Sequence, residues 1–123
     1  MPKEKPEYDL EERLLDYAAR IIKLIEFLPR TRPGLLIADQ LMRSGTSPLS
    51  NHGEAQAAES RKDFVHKLSI ALKELKESRR WLKLIPKVGL IKETHLLQPI
   101  MMETEELICI FNVSIRTAKS KLP

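Results

Sequence analysis

Apolar residues that recur every three or four positions constrain the fold of this chain more than any other feature of its sequence. The longest run advances in alternating steps of four and three through Phe64, Leu68, Ala71, Leu75, Ser78, Leu82 and Ile85. This spacing places the run on one side of an α-helix that packs against another helix. Ser60, three residues before Asp63, predicts where the helix begins, and Pro86 and Gly89 predict where it ends.

Two other segments show the same spacing. The first follows a charged leader, Met1–Tyr8, with Asp9 as the predicted N-cap and Pro29 at the predicted end. Its apolar side consists of Leu10, Leu14, Tyr17, Ile21, Leu24 and Leu28. The last segment has Thr94 as its predicted cap, and Pro99 is expected to bend the first turn. Its apolar side consists of Leu97, Met101, Thr104, Ile108, Phe111, Ile115, Ala118 and Leu122.

The segment that begins near Leu35 is less regular and has two interpretations. Its first half offers three core candidates, Ile37, Leu41 and Met42. Pro48 then interrupts the helix signal, because proline lacks the N–H that a helix interior uses. One interpretation is a kinked helix with a smooth, small-residue face formed by Met42, Gly45, Leu49, His52 and Gln56. The other interpretation is a loop.

Together these segments predict an all-α, antiparallel up-down-up-down four-helix bundle. The predicted helices cover about residues 9–28, 35–58, 61–85 and 94–120 of one domain, residues 1–123, and they are joined by short turns. No apolar run approaches the roughly 20 residues of a membrane span, and the start of the chain lacks a signal-peptide pattern. We therefore expect a cytoplasmic protein that makes no use of a membrane.

The charge of the chain is concentrated in its second half. Residues 1–60 contain 8 Lys and Arg against 10 Asp and Glu, whereas residues 61–123 contain 13 against 7. Five cations follow the 3-4 spacing along one outer edge of the third helix: Lys73, Lys76, Arg80, Lys83 and Lys87. We call these five residues the basic stripe. Its interpretations are an interface with nucleic-acid phosphates, a solvated face partly offset by Glu74 and Glu77, and ion pairs in an oligomer.

A further side of the third helix is also apolar. Ile70, Trp81 and Leu84 share it, although a helix of a monomeric bundle needs only one apolar stripe. We call these three residues the apolar flank. Tryptophan is enriched at the centres of protein interfaces, so the flank predicts an oligomer interface, with ordinary core packing as the alternative.

No combination of residues predicts catalysis, a metal or another cofactor. His52 and Glu54 have the H-x-E form of zinc deaminases, but that chemistry needs a pair of cysteines and Cys109 is the only one. His52, His66 and His95 have no metal-ligand spacing. Among the remaining polar residues, Asn51 and Glu54 share a helix face, which indicates a buried polar network that fixes helix register or, alternatively, a functional site. Glu103, Glu105 and Glu106 are expected to form a solvated acidic patch and not paired catalytic carboxylates, because no positioned His or basic partner accompanies them in the sequence. Cys109 is expected to pack as a small apolar residue.

A motif over about residues 41–85 resembles a known family. It consists of Leu41-Met42-Arg43-Ser44-Gly45-Thr46-Ser47, Asn51, Glu54-Ala55-Gln56, Ala58-Glu59-Ser60-Arg61, Asp63-Phe64, His66-Lys67-Leu68, Ile70-Ala71-Leu72-Lys73-Glu74, Glu77 and Trp81-Leu82. These residues resemble the bacterial family called "four helix bundle protein", which includes proteins encoded in intervening sequences of large-subunit ribosomal RNA genes. The family often has a small or branched apolar residue where Pro48 stands.

The resemblance implies an antiparallel four-helix bundle that assembles into a ring, typically a homopentamer, and a helical segment from Arg43 to Ser47. It supplies no catalytic residues. A more distant group, the accessory proteins of diversity-generating retroelements, forms similar basic rings that bind nucleic acid, but no motif ties this chain to that group. The leading hypothesis is a non-enzymatic ring whose basic stripe contacts RNA or DNA without sequence preference. The alternative is an oligomeric scaffold that binds another protein and no nucleic acid.

Overall fold

The computed structural model describes residues 6–123, with side chains from Leu10 onward. Within that range the chain forms four α-helices: α1 Pro6–Ile25, α2 Arg32–Gln56, α3 Arg61–Lys87 and α4 Gln98–Lys119. A short 3-10 turn, Thr94–Leu96, precedes α4, and none of the described residues forms a strand. The prediction of an all-α fold with four helices is confirmed.

The first helix begins earlier than predicted. Pro6 is its first residue, so Asp9 lies inside the helix and is not the N-cap. Proline suits the first helical position, because its φ is already helical and the N–H it lacks would have no partner there. Of the predicted leader, Met1–Lys5 lies outside the described residues, whereas Pro6–Tyr8 is helical. The helix ends at Ile25, three residues before the predicted end.

The second helix also begins earlier than predicted, and it passes through Pro48 without interruption. Thr31 is its N-cap, and the Thr31 side chain accepts a hydrogen bond from the Gly34 N–H at 3.3 Å. The loop interpretation is therefore wrong. Proline removes one helical N–H, which leaves only the Ser44 carbonyl without its usual partner. Ser44, Gly45 and Pro48 are all buried, so packing against neighbouring helices holds this segment in the helix.

Gly45 explains why the small-residue face matters. A Cβ atom at this position would lie 2.8 Å from both Cγ1 and Cγ2 of Ile21 on α1. Real Cβ atoms do not approach other atoms so closely, and glycine alone lets the two helices come this near. The predicted face is only partly buried, however, because Met42 is 42% exposed and is not a core residue.

The third helix begins and ends much as the sequence predicts. The Asp63 N–H donates to the Ser60 hydroxyl at 3.0 Å, which confirms the N-cap. Pro86 lies inside the helix and does not end it, since the helix continues to Lys87. The chain leaves the helix at Gly89, which has a φ of +71°. The Leu90 N–H donates to the Ile85 carbonyl at 3.1 Å and the Gly89 N–H to the Pro86 carbonyl at 3.2 Å, which is the Schellman pattern of helix ends.

The start of the fourth helix differs from the prediction. Thr94 opens the 3-10 turn and does not cap α4, since the N-cap is Leu97 and its side chain makes no capping bond. Pro99 lies in the first turn of α4. Proline is favoured there, so it begins the helix and does not bend it.

One apolar core contains residues from all four helices. Every apolar residue predicted on α1 and the turn after it is buried, and so are six of the seven predicted on α3, with Phe64 half-buried. Seven residues were predicted to face the core between Leu97 and Ala118. Six of them are buried, and Met101 is half-buried. The 3-4 spacing therefore identified the core of these three helices.

Two hydrogen-bonded polar pairs lie inside this core. The Ser44 and Ser78 hydroxyls are 2.8 Å apart between α2 and α3. The Tyr17 and Thr104 hydroxyls are 2.7 Å apart between α1 and α4, and Thr104 donates to its own helix at the Ile100 carbonyl. Tyr17 is therefore the donor to Thr104, and burial raises the pKa of its hydroxyl to about 12. Each pair joins two helices at a fixed position along their lengths.

Candidate nucleic-acid interface

The basic stripe lies on the outside of α3. Four of its residues, Lys73, Arg80, Lys83 and Lys87, are exposed, and Lys76 is half-buried. No salt bridge joins any of the five to a carboxylate among the described residues. Its charge is therefore available to an anionic ligand.

The two acids expected to offset the stripe have another partner. Arg43 of α2 lies 2.8 Å from Glu74, measured from Nη1 to Oε1. Its Nη2 also contacts Glu77 and lies 3.2 Å from the Gln40 side-chain oxygen. Glu74 and Glu77 are therefore paired with a cation of α2 and form no salt bridge with the stripe. Because one arginine faces two carboxylates, their partial offset of Lys73 and Lys76 stays a prediction. Sequence reasoning missed Arg43, because a pair 31 residues apart carries no local spacing signal.

The apolar flank lies on the edge of α3 next to these two acids. Leu84 is 38% exposed, whereas Ile70 and Trp81 are half-buried. The Trp81 indole N–H donates to Glu77 Oε2 at 3.0 Å, and its ring packs against the core. Trp81 is thus tied to its own helix, and Leu84 is the residue of the flank that offers the most free surface.

Asn51 and Glu54 do not interact with each other. The Asn51 amide donates to the Ser47 carbonyl at 3.1 Å and to the Ser47 hydroxyl at 2.9 Å. Glu54 accepts from Lys67 of α3 at 2.7 Å on the surface. In place of the predicted network, the buried pairs Ser44–Ser78 and Tyr17–Thr104 join the helices. Tyr17, Ser78 and Thr104 occupy positions of the predicted apolar spacing. Ser44 is not on the predicted α2 face, although it follows Ile37 and Leu41 at the same spacing.

Comparison with known proteins places the chain in a family. The sequence model described as "23S rRNA-intervening sequence protein" matches residues 7–112. The chain belongs to this family. Among solved structures, it is similar to a protein of unknown function from the S23 ribosomal protein family of Bacteroides thetaiotaomicron VPI-5482. The two sequences are 33% identical, and the match covers 89% of this chain and 97% of that one with a TM-score of 0.81. No protein of curated function matches the chain.

The three acids of α4 are not simply solvated, because arginines of other helices pair with them. Arg13 of α1 lies 2.7 Å from Glu103 and 3.0 Å from Glu106. Arg79 of α3 lies 3.0 Å from Glu105. The prediction of a patch without basic partners is wrong, because each carboxylate meets an arginine from a neighbouring helix. Cys109 is exposed and does not pack in the core.

His52 is buried in this family member and lines a cavity of about 260 Å³. Its ring meets Phe111 edge-on, with centroids 6.5 Å apart, and its Nε2 lies 3.4 Å from the Gln56 amide nitrogen. His52 Nδ1 has no hydrogen-bond partner among the described residues. Burial lowers the pKa of His52, which the charge of Glu11 partly opposes. Burial therefore favours the neutral form of the ring.

The part of the chain that the structure describes contains no group of three or more His, Cys, Asp or Glu arranged to hold a metal ion. None of its helices combines the length and the apolar character needed to cross a membrane.

Proposed function

We propose that this intervening-sequence protein is a non-enzymatic, ring-forming helical bundle that contacts RNA or DNA non-specifically through the basic stripe. The observation that carries the proposal is the charge arrangement of α3. The cations of the stripe lack intramolecular partners among the described residues, while Arg43 engages Glu74 and Glu77. A row of cations can bind the phosphates of a nucleic acid, and this binding is favourable because it releases the counterions condensed on the nucleic acid.

The finer topology in this proposal is an antiparallel up-down-up-down bundle. Contacts between α2 and α3 support it, because Ser44 meets Ser78 while Glu54, ten residues later, meets Lys67, eleven residues earlier. Partners that advance along one helix and retreat along the other belong to helices that run in opposite directions.

Binding of generic RNA and duplex DNA, followed by fluorescence anisotropy across a salt series, tests the proposal. The test variant carries Lys73→Glu, Arg80→Glu and Lys83→Glu, all at exposed positions of the stripe. Its matched control carries Lys23→Glu, Arg30→Glu and Arg32→Glu, which change the net charge equally at exposed positions on or after α1 and at the start of α2. We expect salt-sensitive binding that the test variant loses and the control largely keeps. Equal loss in both variants would reduce the effect to net charge, and no binding by the wild type would refute the proposal.

The oligomer is a separate part of the proposal. The family resemblance implies a homopentamer, and the exposed fraction of Leu84 supports an interface on the apolar flank. Native mass spectrometry of Leu84→Glu tests this, since a buried charge would disfavour assembly. The matched control is Val113→Glu, which makes the same kind of change at an exposed site of α4. An intact oligomer of Leu84→Glu would remove the flank from the interface.

A protein-binding scaffold is the second candidate function. It is favoured by exposed apolar side chains that the stripe does not use, notably Phe27 at 62% and Met102 at 66% exposed. Phe27 lines an apolar hollow of about 280 Å³ between the ends of α1 and α4, together with Leu24, Leu96 and Ile100. Assembly without any nucleic-acid binding would favour this candidate.

A further inference from the structure

We infer that the nucleic acid bound by this protein is double-helical and that α3 and α4 contact both of its sugar–phosphate strands. This inference rests on the proposed function and narrows its ligand. It depends on two rows of cations on neighbouring helices, one of which extends beyond the basic stripe.

One further cation, Lys62, lies on the line of the stripe near the start of α3. Lys62 precedes Lys73 by eleven residues, which is close to three helical turns, so both lie on the same edge of α3. Lys62 is exposed and forms no salt bridge with a described residue. From Lys62 to Lys87 the row spans about 38 Å at the helical rise. That length slightly exceeds one turn of B-form DNA, roughly 34 Å.

A second row lies on the adjoining edge of α4. Glu105 lies on the side of α4 that faces α3, because its Oε1 is 3.0 Å from Nη1 of Arg79 on α3. Arg116 and Lys119 follow Glu105 by eleven and fourteen residues, about three and four turns, so they lie on the same side of α4. Both are exposed, and neither forms a salt bridge within the described part of the chain. We call Lys62, the basic stripe, Arg116 and Lys119 the extended basic face.

The usual spacing of packed helices suits a duplex. Packed helices lie roughly 8–10 Å apart, and the grooves of B-form DNA are roughly 6 and 12 Å wide. Cations on the two helices can therefore reach phosphates on opposite sides of one groove. A single strand has one line of phosphates and would use one row.

The aromatic residues argue in the same direction. Proteins that bind single strands without sequence preference stack bases on aromatic side chains. No described aromatic residue lies on the extended basic face: Tyr17 and Phe111 are buried, Phe64 and Trp81 pack against the core, and Phe27 follows α1. Phosphate contacts alone remain, and a duplex presents phosphates at higher density than a flexible strand does.

Anisotropy titrations with duplex RNA, duplex DNA and the corresponding unpaired strands test the inference. Each duplex should be two helical turns long, and the single strands should lack internal pairing. We expect both duplexes to bind roughly tenfold more tightly than the strands at low salt, because a second row of contacts adds to the counterion release. Single strands that bind as tightly as duplexes would overturn the inference while leaving the proposed function intact.

A variant of the second row separates the two claims further. Arg116→Gln with Lys119→Gln should reduce the slope of log affinity against log salt by about 2 for a duplex. The slope for a single strand should not change. The matched control, Lys23→Gln with Arg30→Gln, removes the same charge on and after α1 and should leave both slopes unchanged. An unchanged duplex slope in the α4 variant would overturn the inference, and no binding of any nucleic acid by the wild type would overturn the proposed function with it.

Discussion

Arg43 of α2 engages Glu74 of α3 at 2.8 Å and also contacts Glu77. These two acids alternate in sequence with Lys73 and Lys76. A cation from another helix thus holds both carboxylates beside the stripe.

Arg43→Gln should weaken nucleic-acid binding although Arg43 is not a residue of the stripe. The variant frees two carboxylates that can then pair with neighbouring lysines. We expect a loss of roughly fivefold at low salt, comparable to about one phosphate contact, measured by fluorescence anisotropy. Stability should change by less than about 1 kcal/mol, since the arginine is half exposed and surface ion pairs contribute little.

A rescue variant provides the control for this prediction. Adding Glu74→Gln and Glu77→Gln to Arg43→Gln removes the freed charges, and Glu77→Gln keeps a side-chain oxygen that can accept the hydrogen bond from Trp81. Binding should return to the wild-type level or exceed it. A triple variant that stays weak would mean that Arg43 itself contacts the nucleic acid.

The buried pair of Ser44 and Ser78 predicts a coupled effect on stability. Ser44→Ala leaves the Ser78 hydroxyl buried without its partner, at a cost of about 1–3 kcal/mol. Ser44→Ala with Ser78→Ala should cost less than the two single variants added together, because no orphaned hydroxyl remains. A double-mutant cycle by urea denaturation measures this coupling, and strict additivity would contradict it.

The close approach at Gly45 predicts that one added methyl group is destabilising. Gly45→Ala places a Cβ at 2.8 Å from two Cγ atoms of Ile21, and we expect a loss of about 1–3 kcal/mol from overpacking. Gly53→Ala is the matched control on the same helix, since a Cβ at Gly53 meets no atom within 4 Å. It should gain about 0.5–1 kcal/mol from helix propensity. Thermal or urea unfolding should show a lower free energy of unfolding for Gly45→Ala and a higher one for Gly53→Ala.

Burial of His52 predicts that stability falls on mild acidification. The folded state lowers the pKa of His52 below its ordinary 6.5, so the unfolded state binds a proton first as the pH falls. The free energy of unfolding should therefore decrease from about pH 7 towards pH 5. His52→Gln should flatten this part of the profile, whereas His66→Gln, at an exposed site, should leave it unchanged. An identical profile in His52→Gln would exclude His52 as its source.

The limits of sequence reasoning are clearest at the ends of helices and at prolines. Pro99 was expected to bend a helix that began at Thr94, but α4 begins at Gln98 and its first turn accepts proline. Pro48 left helix and loop open, and burial of Ser44, Gly45 and Pro48 between neighbouring helices decides for helix. In both cases the local residues allow two conformations, and packing selects one.

From the amino-acid sequence alone follow the approximate positions of α1, α3 and α4, their buried sides and the row of cations on α3. These features depend on the period of the α-helix, which any segment expresses without reference to the rest of the chain. Three features follow only from the way in which the helices pack. Arg43 forms ion pairs with Glu74 and Glu77, and the Ser44 and Ser78 hydroxyls form a hydrogen bond. In addition, the Met42 side chain is exposed. Each of these features depends on which helices are neighbours and on how far one helix is shifted along the axis of the other. Residues far apart in the chain give no periodic signal of that arrangement.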